Sequence, residues 1–485
     1  MGIIINQSLK NMLTTYVGFG IGAVNTLFLF TYFLSKEYYG LVSFLLSAAN
    51  LIWPFLVFGV HSTLIKFFTS YKTRGDQDRL MNFVLVTPAI VGGLLGVAGL
   101  IFYEYLLNYF EGENSLVQPY VWLIFIVAMA TAYFEVFFSW SKIYYKSAFG
   151  NLMKEVFHRF CISVLLLAVS FNWINVQTFI YSISGVFVFR TVLMAIYAFS
   201  LHRPRFSFKF PRNLSPVIKY SSLILLAASV ATVLLDLDKV MIEYYLPIEN
   251  VAIYGIAIYI ATVISVPQKA MHQITNPLTA EMLNKKDKAG LRELYEKSSL
   301  NLLIVSGLIF IWIISNVNSL YELIPDDYEI SLLIILLISL VKLYDNILGN
   351  NNSILFNSDY YRIVLGVGVI LVILAFILNM LFIPEFGIEG AALASFIAFG
   401  IYNTSKIFIV LKKFKIHPFT AKTRWTLLVI LIFSLGFYFI SLPFHPVLNI
   451  LIKGILAGIL YIFIVYYFRF SRDINLLIDR FTDRA

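Results

Sequence analysis

About fourteen stretches of this chain are apolar for close to the twenty residues that an α-helix needs to cross the hydrocarbon core of a bilayer. No other feature narrows the fold as much. Backbone polar groups inside a bilayer find no water, so such stretches must satisfy their own hydrogen bonds as helices. The first six are 11–34, 39–60, 80–103, 117–139, 156–171 and 176–199. The next six are 217–246, 251–270, 298–316, 330–348, 363–383 and 391–411, and the last two are 425–442 and 447–468. The fifth is short. Composition agrees with a membrane bundle: 60% of the 485 residues are hydrophobic and only 13% charged, against about 25% charged in soluble domains. Mean hydropathy is +0.83. The first stretch is too long for a signal-peptide core and lacks a small-residue cleavage site, so it is expected to be the first span.

Enzymatic and metal chemistry find no foothold in the pattern. Cys161 is the single cysteine, so no internal disulfide forms, and the six histidines are scattered away from metal-ligand spacing. There is no P-loop, no GxGxxG after a strand, no GxSxG and no HExxH. The expectation is a non-enzyme without cofactor or metal.

Charge sets the orientation. Lys72, Arg74 and Arg79 follow span two, and Lys142, Lys146 and Lys154 follow span four. Arg203, Arg205, Lys209 and Arg212 follow span six; Lys285, Lys286, Lys288 and Arg292 follow span eight. Lys412, Lys413, Lys415, Lys422 and Arg424 follow span twelve, and the tail adds Arg469, Arg472, Arg480 and Arg484. The alternate loops instead hold Glu104, Glu111, Glu113, Glu322, Asp326, Asp327, Glu329, Glu385 and Glu389. The positive-inside rule places the basic set, and both termini, in the cytoplasm of a cell whose inner membrane the chain crosses. The net charge of +9 is thus a topology signal spread over short loops, and it argues against a nucleic-acid partner.

The halves look related. "FLSKEYYGLVSF" (33–44) aligns with "YLPIENVAIYGI" (245–256), and the same offset brings Pro54 to within a residue of Pro267. An even number of spans per half makes these parallel repeats, and transporters built this way place substrate at the repeat interface. The expected organisation is a six-helix lobe over 1–200, a second over 201–416, and two extra helices with a cytoplasmic tail over 417–485.

Span seven carries "LLDLDKVMIEYYLP" (234–247). Mapped through the repeat, the span ends near Leu246, which puts Asp238 and Lys239 roughly 10–12 Å inside it at 1.5 Å per residue. Asp236, Lys239 and Glu243 share a helix face, while Asp238 points about 200° from Asp236, so the DLD string cannot clamp one metal ion. Two readings stay open. One is an ion site or gate facing a water-filled cavity; the other is an internally paired cluster that locks span seven to a neighbour.

Arg190 lies past the middle of span six, too deep to snorkel. It is the foremost candidate to hold a phosphate bidentately, against the alternative of a salt bridge to Glu135 in the inner half of span four. Lys342 and Asp345, one turn apart near the inner end of span ten, read as a pair. Lys66, Lys269 and His272 read as headgroup-level side chains at the inner ends of spans two and eight. His158 and Arg159 share the short fifth segment and carry little weight. Gly18, Gly20, Gly22, Gly92, Gly93, Gly96 and Gly99 read as close helix packing, and Pro54, Pro88 and Pro267 as kinks. The 30 tyrosines and 45 phenylalanines fit interfacial belts and packing better than sugar stacking.

Three segments carry a family resemblance. "LNMLFIPEFGIEGAALASFIAFG" (378–400) resembles the span-eleven to span-twelve signature of Wzx-type polysaccharide flippases: an asparagine, an apolar-Pro pair, a turn glycine, then GAA. "LDKVMIEYYLPIENVAIYGIA" (237–257) and "YGLVSFLLSAANLIWPFLVFGV" (39–60) resemble their span-seven to span-eight and early segments. Spans thirteen and fourteen match only as hydrophobic stretches. The resemblance implies an all-α membrane fold of two six-helix bundles around a central cavity, like that of the multidrug and toxin extruders and the lipid II flippases. It implies movement of undecaprenyl-diphosphate-linked oligosaccharide to the outer leaflet by alternating access driven by a proton or sodium gradient. By that reading Arg190 and Lys239 hold the diphosphate, and Asp236, Asp238, Glu243 and Glu135 serve coupling or gating. Lys342, Asp345, Lys66 and Lys269 are secondary candidates, and glycan polymerase or ligase machinery the expected partner beside the lipid bilayer. The rivals are an organic-cation extruder of the same fold, which the acidic cluster keeps open, and a glycan-assembly enzyme, which the short outer loops disfavour.

Overall fold

The computed structural model describes residues 2–110, 114–206, 209–325, 328–329 and 331–482. Glu111, Glu113, Asp326, Asp327 and Arg484 lie outside the described residues. Among the described residues every regular element is helical, and each of the fourteen expected stretches is a helix. Among the described residues ten helices are long and apolar enough to cross a membrane, one of them, Tyr361–Phe414, being two spans joined at a kink. The chain is a multi-pass membrane protein.

Helix boundaries follow local chemistry. Thr73 accepts a hydrogen bond from the Asp76 backbone N–H at the start of span three, and Asn175 does the same for Thr178 at the start of span six; both occupy N-caps, where a side-chain oxygen satisfies a free amide. Thr420 and Thr423 cap span thirteen reciprocally.

Several spans are interrupted, and the interruptions have visible causes. Span two runs Lys36–Val57, breaks at Phe58 and Gly59, and resumes as Val60–Phe68. Pro54 precedes the break by one turn, and both break residues adopt left-handed φ values of 48° and 69°, the second of which glycine holds without strain. Span eight breaks at a 3₁₀ turn, Val263–Ser265, just before Pro267. The two prolines matched by the repeat therefore both sit at helix breaks. Pro88 does not: span three is one helix, Arg74–Ile101. Thr87 Oγ1 donates to Phe83 O at 2.7 Å and Tyr133 OH to Leu85 O at 3.2 Å, the carbonyls on either side of Val84 O, whose helical donor Pro88 lacks. Span ten, Leu332–Ile347, breaks at Gly349 and resumes as Asn351–Phe356. Between spans eleven and twelve, Gly387 (φ 60°, ψ −141°) turns the chain back.

Span five is longer than its apolar stretch. It runs 147–170 as Ser147–Leu152, a π-helical turn Met153–Phe157, and His158–Ser170. Lys154, expected in the loop after span four, is inside this helix. A further helix, Arg472–Thr482, follows span fourteen.

The helices form two compact units, Met1–Ile253 and Tyr254–Ala485. In the first unit span seven, Leu214–Tyr245, packs along span two. A Cβ on Gly40 would meet Ile248 O at 2.1 Å, and one on Gly59 would meet Ser221 O at 2.2 Å. Thr63 Oγ1 and Ser221 Oγ share a hydrogen bond of 2.7 Å beside that contact. Compactness thus groups span seven with the first six, whereas the repeat groups it with the next five. Of the span-three glycines, Gly92 and Gly96 do face neighbours, Met129 and Phe125, but Gly93 and Gly99 face open space. In span one, Gly18 abuts Glu155 O and Gly20 faces nothing.

Candidate functional site

Spans four, five and six gather charge at one depth. Glu135 lies eight residues from the C-terminal end of span four, Lys154 seven from the start of span five, and Arg190 eleven from the end of span six. At 1.5 Å per residue all three sit roughly 10–16 Å from that end. Lys154 Nζ donates to Glu135 Oε1 at 2.6 Å. The salt bridge considered for Arg190 is therefore taken by another residue. Arg190 is only 4% exposed, and its guanidinium lies between two rings, 4.3 Å from the Phe134 centroid and 4.7 Å from that of Phe187. Arg190 has no ion pair among the described residues, and its Nε has no hydrogen-bond partner.

Its surroundings repeat that pattern. Lys142 Nζ stands 3.7 Å over the Phe138 ring. Arg159 Nη2 reaches Glu155 Oε2 at 3.8 Å, while its Nη1 is buried without a partner. His61 Nδ1 and His158 Nδ1 are likewise buried and unpartnered. Within these three spans Lys142, Lys154, Arg159 and Arg190 face only Glu135 and Glu155. Excess positive charge with orphaned nitrogens, in a low dielectric, favours an anion with several acceptor oxygens.

Span seven settles where its charges sit. Its helix runs to Tyr245, so Asp236, Asp238, Lys239 and Glu243 all lie within it. Asp236 Oδ2 accepts from Asn50 Nδ2 of span two at 3.2 Å, and Lys239 Nζ lies 3.9 Å from Asp236 Oδ1. Asp238 and Glu243 are buried. Asn114 Nδ2 donates to the carbonyls of Glu243 and Leu246, and its Oδ1 accepts from Ile248 N, binding the turn after span seven. Lys239 is engaged by Asp236 and shares no partner with Arg190.

The second unit holds a pair that the sequence reading missed. Asp345 is bridged by Lys406 of span twelve, with Lys406 Nζ 3.4 Å from Asp345 Oδ1 and 3.1 Å from Asn352 Oδ1. Gln268 Nε2 of span eight adds a bond of 3.0 Å to Asp345 Oδ2. Lys406 bridges Asp345 from span twelve, while the Lys342 ammonium, one turn from Asp345, stands 5.7 Å over Phe399. Beside this pair the broken ends of spans eight and ten are stitched together. Asn346 Nδ2 donates to Ile264 O at 2.6 Å, Asn350 Nδ2 to Thr279 Oγ1 at 2.9 Å, and His272 Nε2 meets Gly349 O at 3.1 Å. Lys66 and Lys269 are exposed, with Lys66 Nζ 3.9 Å over the Tyr220 ring.

Lys453 was also missed. It sits mid-span fourteen, 5% exposed, and donates to Ser315 O of span nine at 3.2 Å. Each overlooked lysine left a signal, a single cation five or more residues inside an apolar run: "NTSKIFIV" for Lys406 and "NILIKGIL" for Lys453.

No protein-family model matches the chain, and no curated protein matches it. Solved structures do. The inward closed conformation of the lipid II flippase MurJ is similar with a TM-score of 0.68 at 15% identity, covering 95% of this chain and 99% of that one. An inward-facing multidrug resistance MATE family transporter of the MOP superfamily is similar with a TM-score of 0.56 at 12% identity, covering 86% and 95%. A mutant of the Vibrio cholerae MATE transporter VcmN gives 0.57 at 13%, covering 86% and 98%. At such identities the likeness is one of fold. The all-helical membrane architecture implied by the sequence resemblance is the one found.

Proposed function

We propose that the protein is a transporter that flips a diphosphate-linked oligosaccharide lipid from the cytoplasmic to the outer leaflet by alternating access. The observation that supports this reading is Arg190: a deeply buried guanidinium held between Phe134 and Phe187, with an unpartnered Nε and no carboxylate of its own. A diphosphate supplies the missing acceptors. In this reading Lys142 and Lys154 add charge around it, the sugars travel in water, and the polyprenyl tail stays in lipid. Lys239, already bridged to Asp236, acts with Asp238 and Glu243 in coupling or gating, and the Asp345–Lys406 pair does so in the second unit. The match to the lipid II flippase covers more of the chain at a higher TM-score than the matches to MATE transporters, which favours a lipid-linked anion.

A cation extruder is the second reading, favoured by one observation: Asp236, Asp238 and Glu243 outnumber Lys219 and Lys239 within span seven. One experiment separates the two. Deletion of the gene in its host, followed by extraction of polyprenyl-linked saccharides and a surface-glycan profile, is expected to show lost surface polysaccharide with the linked repeat unit retained on the cytoplasmic side. Unchanged surface glycan with new sensitivity to cationic drugs overturns the flippase reading.

A further inference from the structure

The helix Arg472–Thr482 is tied down at both ends. Asn301 Nδ2 of span nine donates to Asp473 Oδ2 at 2.9 Å, and Ser471 Oγ donates to Asn301 Oδ1 at 2.5 Å. Asn475 Nδ2 donates to Tyr466 O at 2.8 Å, and Tyr466 OH to Asp479 Oδ1 at 2.7 Å. Yet Leu476 and Leu477 remain about half exposed, at 49% and 53%. Tyr467 and Phe468, at the adjoining end of span fourteen, are more exposed still. A helix held in place with an uncovered apolar face, at the level where spans leave the bilayer, lies in the membrane interface.

A cavity of about 690 Å³ opens beside it. Lys422, Arg469 and Arg472 line it, and Asp479, which accepts the Tyr466 hydroxyl, is the one carboxylate among its lining residues. Lys422 Nζ donates to Arg469 O at 2.7 Å, which leaves two of its three protons for another acceptor. Arg469 holds a left-handed φ of 49° at the end of span fourteen. The cavity sits at the basic end of spans thirteen and fourteen, the end that charge patterning assigns to the cytoplasm. A soluble anion would use the cations and ignore the apolar neighbours. An anionic phospholipid uses both, its phosphate meeting the cations and its acyl chains covering Leu476, Leu477, Tyr467 and Phe468. We infer that this cavity binds the headgroup phosphate of an anionic phospholipid and so fixes the C-terminal helix to the membrane surface.

The test reads lipid retention and does not depend on transport. The full-length protein in detergent is titrated with phosphatidylglycerol and, separately, with phosphatidylcholine of the same acyl chains, and bound lipid is counted by native mass spectrometry. The expected result is selective retention of phosphatidylglycerol. Arg472→Gln, at an exposed position, weakens that selectivity by about fivefold, and the triple change Lys422→Gln, Arg469→Gln, Arg472→Gln by roughly a hundredfold. The charge-keeping triple Lys422→Arg, Arg469→Lys, Arg472→Lys retains most of it. Equal retention of both lipids by the natural protein, or unchanged selectivity in Arg472→Gln, overturns the inference. So does displacement of the lipid by millimolar inorganic phosphate, which would mark a site for a soluble anion.

Discussion

Lys406 Nζ lies 3.4 Å from Asp345 Oδ1, joining span twelve to span ten, and the two side chains are unequally buried: 2% of Lys406 is exposed against 28% of Asp345. The asymmetry predicts unequal mutants. Asp345→Asn strands an ammonium that, among the described residues, keeps Asn352 and the Tyr402 ring, a loss of about 3–5 kcal/mol when a buried pair is broken from one side. Lys406→Met leaves a carboxylate that keeps Gln268 and some solvent, and costs less. Thermal unfolding in detergent checks the order, and the double change should be milder than Asp345→Asn alone.

Arg190 separates charge from shape. Its guanidinium is flanked by two aromatic faces, a planar slot that an ammonium does not fill. Arg190→Lys keeps the charge and should leave surface polysaccharide strongly reduced; Arg190→Gln should abolish it. Both variants should reach the membrane at normal levels, since no ion pair is broken. Full transport in Arg190→Gln, read by glycan export in the deletion strain, would sink the diphosphate site.

The glycines give a packing test with an internal control. A Cβ on Gly390 would meet Phe382 O at 2.0 Å, so Gly390→Val forces apart the hairpin that Gly387 turns. It should cost more than the 1–3 kcal/mol typical of overpacking, because backbone and not side chain must move. Gly93 faces open space, and Gly93→Ala should be neutral or stabilise by about 0.5–1 kcal/mol. Unfolding midpoints of the two variants decide the matter.

Span number is legible because it rests on hydropathy, which is local, and the turn at Gly387 through the family resemblance, whose signature has a glycine there. That Asp236 and Lys239 fall inside the span-seven helix is legible because the repeat fixes where that helix ends. Partnerships are not. Charge alone offers Glu135 as an alternative partner for Arg190 and sequence proximity offers Lys342 for Asp345; Lys154 and Lys406, from other helices, form the salt bridges to those carboxylates. Lys154 is hidden by position: four polar or charged residues among the nine of 147–155 resemble a loop, although tertiary partners let the helix start at Ser147. The asparagines that stitch spans eight and ten carry no hydropathy signal that separates a buried break from a surface turn.

Orientation admits a direct check, because the chain has one cysteine. In a Cys161→Ser background, single cysteines replace Lys285, on an exposed turn after span eight, and Glu385, exposed beside the Gly387 turn. The positive-inside rule puts the first in the cytoplasm and the second outside. A membrane-impermeant maleimide added to intact cells should label Glu385→Cys and spare Lys285→Cys until the membrane is opened. The reverse pattern would turn the whole bundle over. It would place the Glu135–Lys154–Arg190 cluster nearer the outer leaflet, where a substrate made in the cytoplasm would meet it last, and the flipping direction proposed for it would fail with the topology.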